Sequence, residues 1–256
     1  YKYHLLLFLI VIFLFITNYQ SGTYLSGWDN LQTELNPGLA VKRAFFSVWE
    51  EYQSFGLTAG MAHAADLVRA IFLWITSFII PQNTIRYFYH FAMLFLGGLG
   101  ILGLLGGGII GFFGAIFYML NLGTVQIFYL PFESFSTFFA LLPWGIWSFM
   151  KLFRRPEKGG IHRNDIVLFI LINFLGTPSF YTQQLFVVYV LVLGLMGINQ
   201  IGQMDFIRWL KRMLLAFSLI LIINSFWILP QIYFLKTNGS WITQAKANQI
   251  ADRKST

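Results

Sequence analysis

The chain has no cysteine, which excludes disulfides, thiol nucleophiles and cysteine-held metals. Charge is scarce too. Only 11% of residues are Asp, Glu, Lys or Arg, and just ten of the 256 are acids. Soluble domains carry about a quarter charged residues, so this composition belongs to polytopic membrane proteins. The sequence holds no Ser/His/Asp set, dinucleotide fingerprint or P-loop. No internal repeat is visible, which weighs against many transporter architectures.

What is abundant is hydrocarbon: 57% of residues are hydrophobic and 19% aromatic. The aromatic excess suits lipid-facing packing and interface anchoring. The formal charge is +7. The positive residues fall in short loops between apolar runs, as membrane topology requires, and not along the basic stripe of a nucleic-acid face. No nucleic-acid partner is expected.

Eight apolar runs read as helices: Tyr3–Tyr19, Leu67–Ile80, Arg86–Leu105, Ile109–Val125, Glu133–Phe153, Asp165–Phe180, Gln184–Ile201 and Met213–Leu235. A crossing helix needs about 20 residues. Leu67–Ile80 has fourteen, a rise of only about 21 Å. Two loops are basic, one with Lys151, Arg154, Arg155, Lys158 and Arg163, the other with Arg208, Lys211 and Arg212. Both belong on the cytoplasmic side. They reach it together, with Lys2 inside, only if Leu67–Ile80 does not cross. The expectation is an all-α polytopic membrane protein of about seven transmembrane helices, with an outer loop of amphipathic juxtamembrane helices. Residues 1–235 form the membrane module, with the outer loop at 20–66 and a short interfacial or re-entrant helix at 67–80. Residues 236–256 begin an extracytoplasmic segment of a longer protein. The first run lacks a convincing cleavage site and is read as a crossing, not a signal peptide.

The one long polar interruption, Trp28 to Asp66, holds five of the ten acids: Asp29, Glu34, Glu50, Glu51 and Asp66. Acids beside a membrane are costly unless they bind something, so candidate chemistry gathers here. Asp29 is placed to act as a general base toward a hydroxyl, with Glu34 facing the same cavity. Either acid offers oxygen ligands to a divalent cation such as Mg, Mn or Ca; the alternative is a solvated pair. Asn36 and Pro37 read as a cap and first turn. The amphipathic helix they open runs to Glu50 and Glu51, with Val41, Phe45, Val48, Trp49 and Tyr52 on one face. His63 and Asp66 lie three apart, and Asp66 either joins a site or caps the short helix. Glu133 stands at the outer mouth of a crossing, where acids usually line a cavity. Arg69 and Arg86 suit a lipid-linked phosphate, or snorkel to headgroups. Lys42 and Arg43 share that ambiguity, with headgroup contact preferred. Gly103, Gly107 and Gly111 read as close packing or a turn, and Asn224 with Pro230 as a kink or packing point in the last crossing. His90 and His162 show no partners in sequence.

The layout resembles the GT-C class of membrane glycosyltransferases. It is nearest to the N-terminal membrane region of mycobacterial-type α-(1→3)-arabinofuranosyltransferases and related bacterial membrane proteins. The likeness rests on Trp28-Asp29-Asn30-Leu31-Gln32-Thr33-Glu34-Leu35, Asn36-Pro37-Gly38, Lys42-Arg43-Ala44, Trp49-Glu50 and Phe55-Gly56, then Leu120-Asn121 and Asn224 to Pro230. The interval between the two loop acids departs slightly from that family's pattern. The resemblance implies an inverting enzyme that moves a sugar from a polyprenyl-phosphate donor to a glycan or lipid acceptor. It would work on the outer face of a bacterial plasma membrane, with Asp29 as base. Catalysis would fall to Asp29 and Glu34, and substrate binding to Glu133, His63, Asp66, Arg69 and Arg86. The rival expectations are a transporter or lipid/glycan flippase, and a non-catalytic scaffold.

Overall fold

A computed structural model describes residues 1–25, 33–46, 49–50, 57–58, 60–129, 132–154 and 160–244. Among these residues the chain is helical apart from a two-residue antiparallel ladder, in which β1 (Trp49–Glu50) pairs with β2 (Leu57–Thr58). Asp29, the expected base, and Glu51 lie outside the described residues.

The helices, in order, are α1 (Lys2–Asn18), α2 (Pro37–Phe46), α3 (Gly60–Ala65), α4 (Leu67–Thr76), α5 (Gln82–Leu104), α6 (Ile109–Leu120), α7 (Leu122–Tyr129), α8 (Glu133–Leu152), α9 (Arg163–Leu175), α10 (Thr177–Phe180), α11 (Gln183–Ile198), α12 (Phe206–Ile223) and α13 (Ser225–Gln244). Among them α5 alone is long and apolar enough to cross a membrane. The total rises to three if each bent pair, α6 with α7 and α12 with α13, counts as one span. Helices α1, α4 and α11 are apolar but shorter.

The packing centres on α5 and α8, which lie side by side. Trp144 Nε1 donates to the Leu96 carbonyl at 3.0 Å. A Cβ on Gly100 would fall 2.8 Å from Pro143 Cβ, so glycine is what lets these helices approach so closely. One core joins α1, α5, α6 and α8 through Leu7, Leu94, Leu102, Ala115, Met119 and Phe139. Another joins α8, α9, α11 and α12 through Phe149, Phe169, Tyr189, Leu193, Ala216 and Ile220, with Phe180 of α10. The outward faces are as apolar as the cores: Phe13 on α1, Phe117 on α6, Leu171 on α9, Leu191 on α11 and Ile222 on α12 are all exposed. Water would penalise such a surface, while hydrocarbon would not.

Four expectations are corrected. The amphipathic helix ends at Phe46, not at Glu50, because Trp49 and Glu50 leave the helix to pair with residues 57–58. The fourth run breaks at Asn121, with a bend of 47°. There the Asn121 side chain accepts from Thr124 N at 3.1 Å and donates to Phe117 O at 3.0 Å, capping one helix while ending the other. The last run breaks at Asn224, as expected, with a bend of 79°, but not at Pro230, which lies inside α13. Asn224 Nδ2 donates to Ile220 O at 2.9 Å, and Trp227 Nε1 donates to Asn224 Oδ1 at 3.1 Å, so the side chain ties the end of α12 to an indole in the first turn of α13. Fourth, Asp66 occupies the N-cap position of α4 but makes no cap hydrogen bond.

The glycine triplet divides its work. Gly107, together with Gly106, has positive φ in the turn between α5 and α6. A Cβ on Gly111 would fall 2.9 Å from Leu102 O, whereas Gly103 faces open space.

Candidate functional site

Four segments converge at one end of the bundle: the 3₁₀ turn Thr33–Leu35, α4, the start of α5 and the start of α8. Asn36 begins the assembly, accepting from Leu39 N at 3.0 Å as the cap of α2. Gln82 Nε2 then donates to Leu35 O at 2.6 Å, which clamps the 3₁₀ turn to the first turn of α5. The end of α1 joins the same region through Tyr19 and Thr84, whose hydroxyls are 2.9 Å apart.

Five charged side chains from these segments are buried together. Arg86 donates from Nη1 to Glu34 Oε1 at 2.7 Å. Its Nη2 meets Glu133 Oε1. Arg69 addresses the same Glu133 oxygen at 3.3 Å. Arg69 also grips Asp66 with a fork, Nε to Oδ1 at 2.6 Å and Nη2 to Oδ2 at 2.9 Å. Thr33 closes a triangle: its hydroxyl accepts from Arg69 Nη2 at 2.9 Å and donates to Asp66 Oδ2 at 2.8 Å. All five charged residues are under 10% exposed, so the snorkelling and capping alternatives fail for Arg69, Arg86 and Asp66. Burial pushes the Arg69 guanidinium down, but Asp66 and Glu133 outweigh it and hold it above the ordinary arginine value, fully charged. Three carboxylates thus face two guanidiniums.

A cavity of about 230 Å³ opens beside this network, walled by Thr33, Asn36, Arg43, His63 and Asp66 among others. The candidate residues therefore divide. His63 and Asp66 line the cavity. Glu34, Arg69, Arg86 and Glu133 lie behind it in the ion-pair network, where Glu34 Oε2 has no hydrogen-bond partner among the described residues. Of the two expected catalytic acids, then, Glu34 does not wall the cavity, and Asp29 belongs to the undescribed stretch.

Arg43 is part of the cavity wall, while Lys42 next to it is exposed. Thr33, which links cavity to network, carried no sequence signal. Nor did the polar ladder that continues between α5 and α8. There Thr137 donates to Glu133 O at 2.7 Å and meets Tyr89 OH, while His90 Nδ1 lies 2.8 Å from Ser136 Oγ. Their i, i+4 spacing from Arg86 and Glu133 was the one clue to it.

Among the described residues no three metal-ligating side chains gather. The carboxylates of Glu34, Asp66 and Glu133 already face guanidiniums, so this network does not fit a divalent cation. Comparison with protein-family models, curated proteins and solved structures finds no match to this chain.

Proposed function

We propose that the chain is the membrane module of a glycosyltransferase that uses a polyprenyl-phosphate sugar on the outer face of a bacterial plasma membrane. The observation that carries the proposal is the cavity walled by Arg43, His63 and Asp66, set against a buried ion-pair network at the end away from the basic loops. In this reading the chain crosses seven times with α4 interfacial, and the cavity lies at the outer leaflet. Asp29 takes the proton of the acceptor hydroxyl. The acceptor oxygen then attacks the anomeric carbon as the bond from that carbon to the phosphate oxygen breaks, inverting the configuration. Polyprenyl phosphate leaves with the bonding pair. Arg43, in the cavity wall, balances the phosphate charge, while Arg69 and Arg86 hold the carboxylates behind it. Glu34 and Glu133 position those arginines and do not touch substrate.

A transporter or flippase is the second reading, favoured by the helix breaks at Asn121 and Asn224. The acids of the network lie at neither break, which supports the transferase. The test uses membranes holding the full-length protein, labelled polyprenyl-phosphate sugars, and Asp29→Asn beside wild type. Donor consumption by wild type, lost in the variant, is expected. No consumption, or equal transfer by both, removes the enzymatic reading.

A further inference from the structure

Six cations lie at the opposite end of the bundle from the acid network: Lys151, Arg154, Arg163, Arg208, Lys211 and Arg212. They differ from Arg69 and Arg86 in one respect. The ion pairs among the described residues all involve Arg69 or Arg86, and none involves these six. Lys151 lies over the Trp147 ring at 3.8 Å, a contact that leaves its charge uncompensated. Of the carboxylates nearest in sequence, Glu157 lies outside the described residues and the other two are already placed. Asp205 caps α12 by accepting from Arg208 N at 3.3 Å, and Asp165 is in the first turn of α9.

Three of these cations share a cavity of about 600 Å³, walled by Lys151, Arg154, His162, Arg163, Asn164 and Asp165 among others. Among the described residues, three positive charges there face one carboxylate, Asp165. The wall also contains the N-terminus of α9, whose cap residue His162 makes no side-chain cap bond. The amides of Arg163 and Asn164 have no acceptor among the described residues. Free amides at a helix start add to the positive potential. Arg212 braces the rim. It is 5% exposed, and its Nη1 donates to the Arg154 carbonyl at 2.8 Å, tying α12 to the loop that carries Arg154. A topology marker needs only to be solvated, whereas a buried guanidinium holding backbone in place builds a shape. Lys151 and Arg154 also border a second cavity of about 290 Å³ against Trp147, Gln200 and Gln203. Polar room therefore continues from the cationic pocket toward an aromatic side chain.

We infer that this pocket binds a phosphate-bearing anion, with the phosphodiester headgroup of an anionic phospholipid as the source that membrane placement favours. The inference is independent of glycosyl transfer, since it concerns the opposite end of the molecule. Arg154 and Arg163 grip the phosphate oxygens, Lys151 adds a point charge, and the α9 amides complete the shell.

The test compares two variants with equal loss of charge, using the full-length protein in nanodiscs at physiological salt. Arg154→Gln/Arg163→Gln empties the pocket. Arg208→Gln/Lys211→Gln removes equally exposed cations of the same end that are not in the pocket wall. The probes are phosphatidylglycerol and phosphatidylcholine, read by native mass spectrometry of retained lipid, with inorganic phosphate as a soluble competitor. The pocket variant is expected to lose phosphatidylglycerol affinity about thirtyfold, and the Arg208/Lys211 variant no more than about threefold. Both should keep the wild-type melting temperature. Displacement of the lipid by inorganic phosphate at millimolar levels would support the site and assign it to a soluble phosphate. Equal losses in the two variants would mean diffuse attraction and overturn the pocket. So would equal retention of both lipids by wild type.

Discussion

Arg69 and Arg86 reach the same carboxylate oxygen, Oε1 of Glu133, from two different helices. Arg69 is in the first turn of α4 and Arg86 near the start of α5. Had α4 traversed the bundle, its first turn would lie at the opposite end from the start of α5. The shared oxygen therefore keeps α4 at one end, consistent with its ten residues and a rise of about 15 Å. The same contact explains how a membrane-type protein tolerates five buried charges: each is held by an opposite charge, and the forks of arginine match carboxylate geometry.

Removing one member of this network strands its partner. Arg86→Met is expected to destabilise the protein by about 3–5 kcal/mol, because Glu34 and Glu133 lose a common counter-charge in a buried place. Arg86→Met with Glu34→Leu should cost less than the two single changes summed, since no Glu34 charge remains to strand. Thermal unfolding of the detergent-solubilised protein measures both. Single variants within about 0.5 kcal/mol of wild type would show that the network contributes nothing.

Arg69→Lys tests shape apart from charge. A lysine keeps the positive charge but cannot serve both Asp66 oxygens, Thr33 and Glu133 together. A loss of about 1.5–3 kcal/mol is expected from the broken charged hydrogen bonds. A melting point equal to wild type would mean that charge alone suffices.

Two glycines of α5 should respond in opposite directions. Gly100→Ala places a methyl 2.8 Å from Pro143 Cβ and 2.9 Å from Trp144 Nε1, and overpacking of this kind costs about 1–3 kcal/mol. Gly103→Ala meets nothing within 4 Å, so helix propensity should stabilise it by about 0.5–1 kcal/mol. Unfolding midpoints of the same sign would contradict the α5–α8 packing described above.

The chain lacks cysteine, so single cysteines can report sidedness without background. Asn83→Cys, at the start of α5, should react with an impermeant maleimide added outside the cell. Lys211→Cys should react only after the membrane is opened. Labelling of position 83 from the cytoplasm alone would reverse the proposed orientation.

The helical runs were legible because each is a long apolar stretch bounded by charge or glycine. The short length of Leu67–Ile80 and the charge rule already argued against its crossing. The Asn36 cap was legible as well, since capping is a three-residue affair: Asn36 answers Leu39. Less was legible where side chains compete for backbone. Nothing local marked Asn121 as a break, because an asparagine inside an apolar run reads as a tolerated polar residue until its side chain is seen capping a new turn; Asn224, with Pro230 close by, was legible as a kink. The end of α2 was misjudged for a similar reason. An apolar face that continues past Phe46 does not reveal that Trp49–Glu50 finds a strand partner at residues 57–58.

At the candidate site the sequence supplied the cast. Glu34, His63, Asp66, Arg69, Arg86 and Glu133 stood out because ionisable groups beside long hydrocarbon runs are expensive to leave without a partner. That cost is a property of each residue type and its neighbours along the chain, so composition and spacing determine it. Asp66 and Arg69 pair three positions apart, but Arg86 meets Glu34 across 52 positions and Thr33 meets Asp66 across 33. Only the packing of α4, α5 and α8 decides those pairings. It also decides that Asp66 and His63 face the cavity while Glu34 faces away, because the direction of a side chain at a helix crossing is set by the neighbouring helices and not by its own segment.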